Sequence, residues 1–336
     1  MTSTLAMIVA AAFLPTPGAA QQSNLAVQEW EVPWERSRPR DPFVAPDGKV
    51  WFVGQVGNYI ANLDPRSGEF TRFEIDSGTN PHNQIVDQAG MVWFAGNRNG
   101  MIGRLDPTTG AITRYPMPDN SVGDPHTLVF DGKGHIWFTA QQAGHAGRLA
   151  TATGKIDLIR VDADRSRPYG ISIDSRGRPW FCEFGTNRLA MIDPATLKLV
   201  EYTLPEGARP RRIAITSDDA IWYVDYARGY LGRLDPASRR VDEWTSPAGP
   251  LALPYAMTVD DQDRLWYVET GVKPNRMVAF DSRTRQFTVQ QPVGDAAANT
   301  IRHMVFHAPT RMIWYGSDLN TIGRVPVPAR AVQLVP

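Results

Sequence analysis

A Trp followed by Phe or Tyr recurs seven times, at Trp51, Trp93, Trp137, Trp180, Trp222, Trp266 and Trp314, at intervals of 42, 44, 43, 42, 44 and 48 residues. Each Trp follows a turn cluster such as Asp47-Gly48, Gly90 or Gly177, and no unit holds a run of 3.6-residue periodicity. Together these observations predict an all-β chain, a seven-bladed β-propeller of four-stranded antiparallel blades.

Each element of a unit follows from its residues. Runs such as Val92-Trp93-Phe94 and Ile136-Trp137-Phe138 are apolar on both strand faces, which fits a sheet stacked between two like it. Thirteen residues after four of the tryptophans stand Asp64, Asp106, Asp193 and Asp235, and fifteen after Trp266 stands Asp281. The chain there reads Asp-Pro-x-Ser/Thr-x, as in Asp64-Pro65-Arg66-Ser67-Gly68, where proline presets the turn and the closing glycine accepts positive φ. In the third unit the strands are expected near Thr127–Phe130, His135–Thr139, Gly144–Leu149 and Lys155–Val161. Gln28-Glu29-Trp30-Glu31-Val32 resembles the outer strands Arg72–Ile75 and Glu201–Leu204, so the ring is expected to close through an N-terminal outer strand, with Ala331–Val335 as the competing segment.

Composition sets bounds on function. The 336 residues carry 35 Lys plus Arg and 35 Asp plus Glu, so the chain has no electrostatic footprint for nucleic acid. Cys182 is the one cysteine, which excludes an intramolecular disulfide and a thiolate zinc site, and its setting between Phe181 and Glu183 makes it a core residue. Leu5–Leu14 is uncharged and apolar but too short to span a bilayer; with Gly18-Ala19-Ala20 before Gln21 it reads as a signal peptide over residues 1–20. The expectation is a periplasmic or secreted, monomeric, single-domain protein over 21–336 with no membrane span.

The repeat also marks a site. Eleven residues before each Trp, where the innermost strand begins, stand Arg40, His82, His126, Tyr169, Arg211, Tyr255 and His303, six of them after proline. Three residues after each Trp stand Gly54, Gly96, Ala140, Glu183, Asp225, Glu269 and Ser317. Both series are expected to ring the mouth of the central channel and form a small-molecule site. Arg40 and Arg211 suit a carboxylate, with His82, His126 and Tyr169 beside them. His303 is expected as general base, Tyr169 and Tyr255 as donors to a developing oxyanion, and Glu183, Asp225 and Glu269 as ligands for Mg²⁺ or Ca²⁺. His135, His145 and His307 fall outside this register and are expected at turns or on the surface.

The stretches Pro81–Tyr115 and Pro125–Ile159 carry the pattern Pro-His-x-x-x-x-Asp, then Trp-Phe, then Gly-Arg-Leu before an outer strand. In this the chain resembles the streptogramin lyase (virginiamycin B lyase) family over about residues 26–328. The resemblance implies a Mg²⁺-assisted lyase that opens a cyclic depsipeptide by elimination at an ester. It also implies a histidine where this chain has Tyr255, Glu-Pro-His where it has Ile301-Arg302-His303, and a glutamate where it has Ser317; of that set His303 is retained. The reading is an exported propeller with a remodelled central site that binds, or eliminates from, a small anionic ester or lactone. The alternatives are a non-catalytic binding or scaffold propeller with a periplasmic protein partner, and a lactone hydrolase.

Overall fold

The computed structural model describes residues 23–161, 165–294 and 299–329. They form seven four-stranded antiparallel sheets arranged as the blades of a propeller. In the third blade the strands are Pro125–Phe130, His135–Ala140, His145–Ala150 and Ile156–Arg160, within two residues of the expected bounds. The other blades begin with innermost strands Pro39–Val44, Pro81–Val86, Pro168–Ile173, Pro210–Ile215, Pro254–Val259 and Ile301–His307.

Second strands are the heart of each blade: Val50–Gly54, Val92–Gly96 and Ile221–Asp225 are buried at every residue. Their tryptophans show how one unit is locked. The Trp93 indole N–H donates to Asp87 Oδ2 at 2.9 Å, Trp180 to Asp174 at 3.0 Å and Trp266 to Asp260 at 2.8 Å, each acceptor six residues earlier across the turn. A buried indole thereby keeps its hydrogen bond. Stacked on each ring is an aromatic of the outer strand: Phe73 on Trp51, Tyr115 on Trp93 and Trp244 on Trp222, with centroids 5.2, 5.4 and 5.4 Å apart. The third-strand Arg104 and Arg148 lie over Trp93 and Trp137 at 5.6 and 5.5 Å, so the repeated Gly-Arg pairs are architectural. The glycine of the pair leaves room for the ring of the second strand; a Cβ at Gly103 would stand 2.1 Å from Phe94.

Closure follows the same plan. The N-terminal strand Gln28–Glu31 pairs antiparallel with Thr321–Pro326, and Trp30 stacks on Trp314 at 5.6 Å, in the place that Phe73, Tyr115 and Trp244 hold in other blades. The ring is sealed by pairing the two ends of the chain, which removes an open sheet edge. Residues 1–22 and 330–336, which include the expected signal peptide and Ala331–Val335, lie outside the described residues. Among the described residues no helix is long and apolar enough to cross a membrane.

Candidate functional site in the central channel

One irregularity, repeated in all seven blades, positions the site. Every innermost strand shifts register against its neighbour just after it begins, between Arg40 and Phe43, Pro81 and Gln84, Pro125 and Leu128, Pro168 and Ile171, Pro210 and Arg212, Pro254 and Met257, and Ile301 and Met304. A bulge breaks the alternation of a strand, so two consecutive residues can turn toward the axis instead of one. The spacing of eleven residues before each Trp marks only the first of each pair. The second members, Asp41, Asn83, Thr127, Gly170, Arg212, Ala256 and Met304, complete the site, and their polarity on blades 1, 2, 3 and 5 was the available signal.

The first members do come together. His82 and His126 face each other with ring centroids 3.5 Å apart, and the His82 Nδ1–H donates to the His126 carbonyl at 3.1 Å. His126 lies 4.3 Å from the Tyr169 ring, and the Tyr169 and Tyr255 hydroxyls are hydrogen-bonded to each other. The Arg211 guanidinium stands 3.5 Å from the Tyr255 ring centroid and is flanked by Tyr226 and Phe184 at 4.3 and 4.8 Å. Arg212 approaches Tyr169 to 5.2 Å, and Gly170 makes that neighbour strand's approach feasible, since a Cβ there would meet the Arg212 Cα at 2.9 Å.

At the centre is Asp41, fully buried and held at φ 52°, a left-handed conformation that Asp tolerates better than most residues. Its carboxylate accepts from Arg40 Nε at 3.1 Å and from Asn83 Nδ2 at 2.9 Å, with Arg212 Nη2 at 3.9 Å. Arg40 also donates to Gln55 at 3.0 Å. Two guanidiniums, Arg40 and Arg212, therefore share one carboxylate, and the third, Arg211, is surrounded by the rings of Tyr255, Tyr226 and Phe184. Donors remain: Arg40 Nη2, Arg211 Nε and Arg212 Nε are buried without an acceptor.

This excess of positive charge sets the acidities. Burial alone would push Tyr255 up, but Arg211, Arg40 and Arg212 favour its phenolate and bring it down to about 7. Tyr169 moves up, through burial and the neighbouring Tyr255. Burial and then Arg40 keep His82 neutral, burial and then Arg212 keep His126 neutral, and both sit well below the ordinary imidazole range. His303 falls to about 4 through burial, with Asp41 opposing and Arg212 and Arg40 adding to the fall.

The second series is a correction. The residues three past each Trp lie beneath the hairpin turn of their own blade and not around the mouth, because the turn that follows folds back over the strand end. Gly54 lies under the Tyr59 ring, and Glu183, Asp225, Glu269 and Ser317 have no exposed surface. Asp225 accepts the Arg209 amide at 3.0 Å and pairs with Arg228 at 2.5 Å; Glu269 accepts the Ala248 amide at 2.9 Å and pairs with Arg276 at 2.5 Å. Glu183 accepts from Thr186 Oγ1 at 3.1 Å, and burial together with Glu201 raises it above the ordinary carboxylate range. Among the described residues no three His, Cys, Asp or Glu side chains gather as ligands for an ion. The remaining histidines stand off the axis: His135 pairs with Asp131, His145 with the Ala143 carbonyl and His307 with Thr310. Cys182 is fully buried.

The family model for the virginiamycin B lyase family matches residues 26–325. The chain belongs to that family. Among solved structures it is similar to virginiamycin B lyase from Staphylococcus aureus, 25% identical, with a TM-score of 0.81 over 91% of this chain and 100% of that one. It is similar also to a streptogramin B lyase, 28% identical, with a TM-score of 0.80 over 91% and 98% of the two chains. An extracellular domain of a two-component system from B. thetaiotaomicron, 17% identical with a TM-score of 0.69 over 92% of this chain and 44% of that one, shares the fold. No curated protein matches the chain. The Mg²⁺ that this family implies finds no fitting ligand set here: Tyr255, Ile301 and Ser317 occupy three of the implied positions, and each carboxylate once expected to bind it is engaged by its own blade.

Proposed function

We propose that the upper end of the channel binds a small anionic ester or lactone and opens it by elimination, with Tyr255 as the base. The observation that supports this reading is the buried excess of guanidinium over carboxylate, with unpaired N–H donors on all three arginines. An unpaired buried donor is costly and an anion relieves that cost. Arg40 and Arg212 would hold the substrate carboxylate and stabilise charge that builds on it. The Tyr255 phenolate would take the proton on the carbon next to that carboxylate; the C–H electrons form a double bond, the C–O bond at the following carbon breaks, and the acyloxy group leaves as a carboxylate. Tyr169 would then donate to the phenolate and keep it in place. His303, weakly basic beside Asp41, is then a positioning residue, and Tyr255 takes the base's place.

The probe is 3-acetoxypropanoate. Acrylate and acetate in equal amounts by NMR, lost in Tyr255→Phe, are the expected result. Release of 3-hydroxypropanoate would mean hydrolysis and overturn elimination; an unchanged melting temperature with millimolar probe would overturn the anion site. The apolar leader and its small-residue end support export. N-terminal sequencing should then begin at Gln21, and an intact Met1 chain in the cytoplasm would count against export.

A further inference from the structure

Below the charged cluster the channel changes character. A cavity of ≈ 400 Å³ runs down the axis, and its walls come from the innermost strands of all seven blades, through residues such as Ile85, Leu128, Ile171, Ile213, Met257 and Met304. Its polar members are few, and Asn83, Gln84, Thr127 and His303 are those that tie it to the site above. Asn83 binds Asp41, and Thr127 Oγ1 receives Arg212 Nη1 at 3.5 Å, so one side chain separates the cavity from the arginines. Two buried atoms among these four, Gln84 Oε1 and His303 Nδ1, have no hydrogen-bond partner. At the other end Phe43 and Phe130 line both this cavity and a larger groove of ≈ 850 Å³ on the opposite face, which carries the Asp-Gly turns.

We infer that the ligand is an amphiphile: the anion that the arginines hold carries an unbranched apolar chain, and that chain lies in the lower channel. This rests on the anion reading above and adds the substrate class. Neither half of the channel suits another occupant as well. A short anion would use the arginines and leave an apolar cavity unfilled, whereas a neutral hydrocarbon would fill the cavity and leave buried donors unpaired. An apolar cavity of about 150 Å³ takes the six carbons of a benzene ring, so this one has room for a chain of at least about ten carbons. The groove that shares Phe43 and Phe130 is the entrance for such a chain.

The test titrates the full mature chain with butanoate, hexanoate, octanoate, decanoate and decanol by calorimetry, below their aggregation limits. Each added methylene of the alkanoates should tighten binding about fourfold, the equivalent of about 0.8 kcal/mol, up to about ten carbons. Decanol should bind at least tenfold more weakly than decanoate. Ser172 lines the cavity and is half-buried, so Ser172→Phe narrows the channel without touching the arginines. In that variant decanoate should fall to the affinity of butanoate; Ser172→Leu serves if the larger side chain prevents folding. Equal binding of decanoate and butanoate by the wild type overturns the inference and leaves the anion site standing. A chain-length gain that survives in a folded Ser172 variant also overturns it, because the chain then lies elsewhere. If no alkanoate binds, both readings fall.

Discussion

The two halves of the channel are built from the same seven strands and obey opposite rules. Above, the bulged ends of the strands turn charged and aromatic side chains to the axis, and residues as polar as Arg40, His82 and Arg212 are 5, 5 and 3% exposed. Below, regular alternation returns and aliphatic side chains face the axis. The upper half is held by a network in which each member needs its partner. The lower half is held by volume and shape, where like can replace like. One fold can thus carry a demanding site and a tolerant one a few residues apart on each strand.

The largest expected effect removes the comparison altogether. Deleting residues 23–33 strips the outer strand and Trp30 from the last blade, and both halves should be lost with the ring; a melting temperature equal to that of the full chain would show that another segment closes it. Asp41→Asn should destabilise by about 3–5 kcal/mol in urea titration, because it leaves buried guanidiniums without their carboxylate, whereas Met257→Leu should cost less than about 1.5 kcal/mol. Added acetate should restore part of the loss in Asp41→Asn and none in Met257→Leu. A similar cost for both variants would erase the distinction.

pH sharpens the comparison further. His82, His126 and His303 have folded values below the unfolded one, so the unfolded chain takes up protons first as pH falls. Stability should therefore be intact above about pH 6.5, the ordinary imidazole value, and decline as pH falls toward about 4, and His303→Asn should flatten part of that decline. Tyr255 acts in the same direction at higher pH: its folded value of about 7 lies below its ordinary 10, so its ionised form adds stability as pH rises between them. The smallest effect is spectroscopic. Absorbance of tyrosinate should rise with a midpoint near pH 7 for one residue and vanish in Tyr255→Phe; a first rise only near pH 10 would show that the arginines do not act on it.

Much of this was legible in the sequence because the repeat is covalent and local. The Trp spacing, the Asp-Pro turns and the likeness of Trp30 to the outer-strand aromatics gave the blades and the closure. The first axial series was legible too, since proline fixes where each innermost strand begins. The acidic series was not. Counting residues along a strand tells how far a side chain is from Trp222 or Trp266, but not that the next turn supplies Arg228 as a partner to Asp225 or the next strand Arg276 to Glu269. Asp41 and Arg212 escaped for the opposite reason: strict alternation would turn them away from the axis, a bulge reverses that, and their polarity is its one mark in the sequence. The lowering of Tyr255 depends on three guanidiniums from two distant blades, and only the folded chain brings them together.

The bulge bears on how such a protein changes its chemistry over time. It exposes a pair of neighbouring side chains per blade to the axis while the Trp, its Asp acceptor and the stacked outer aromatic stay on other positions of the same unit. Selection can therefore rewrite the axial pairs as a linked set, since Asn83 and Arg212 meet Asp41 from other blades, with the Trp locks of the blades left alone. A mutation at Pro-x-x alters the lining of the axis; a mutation at the Trp alters the lock of a blade. A library would exploit that separation by randomising Arg40-Asp41, His82-Asn83 and Arg212 together, so that each folded survivor carries a new axial network in which the buried charges are again paired.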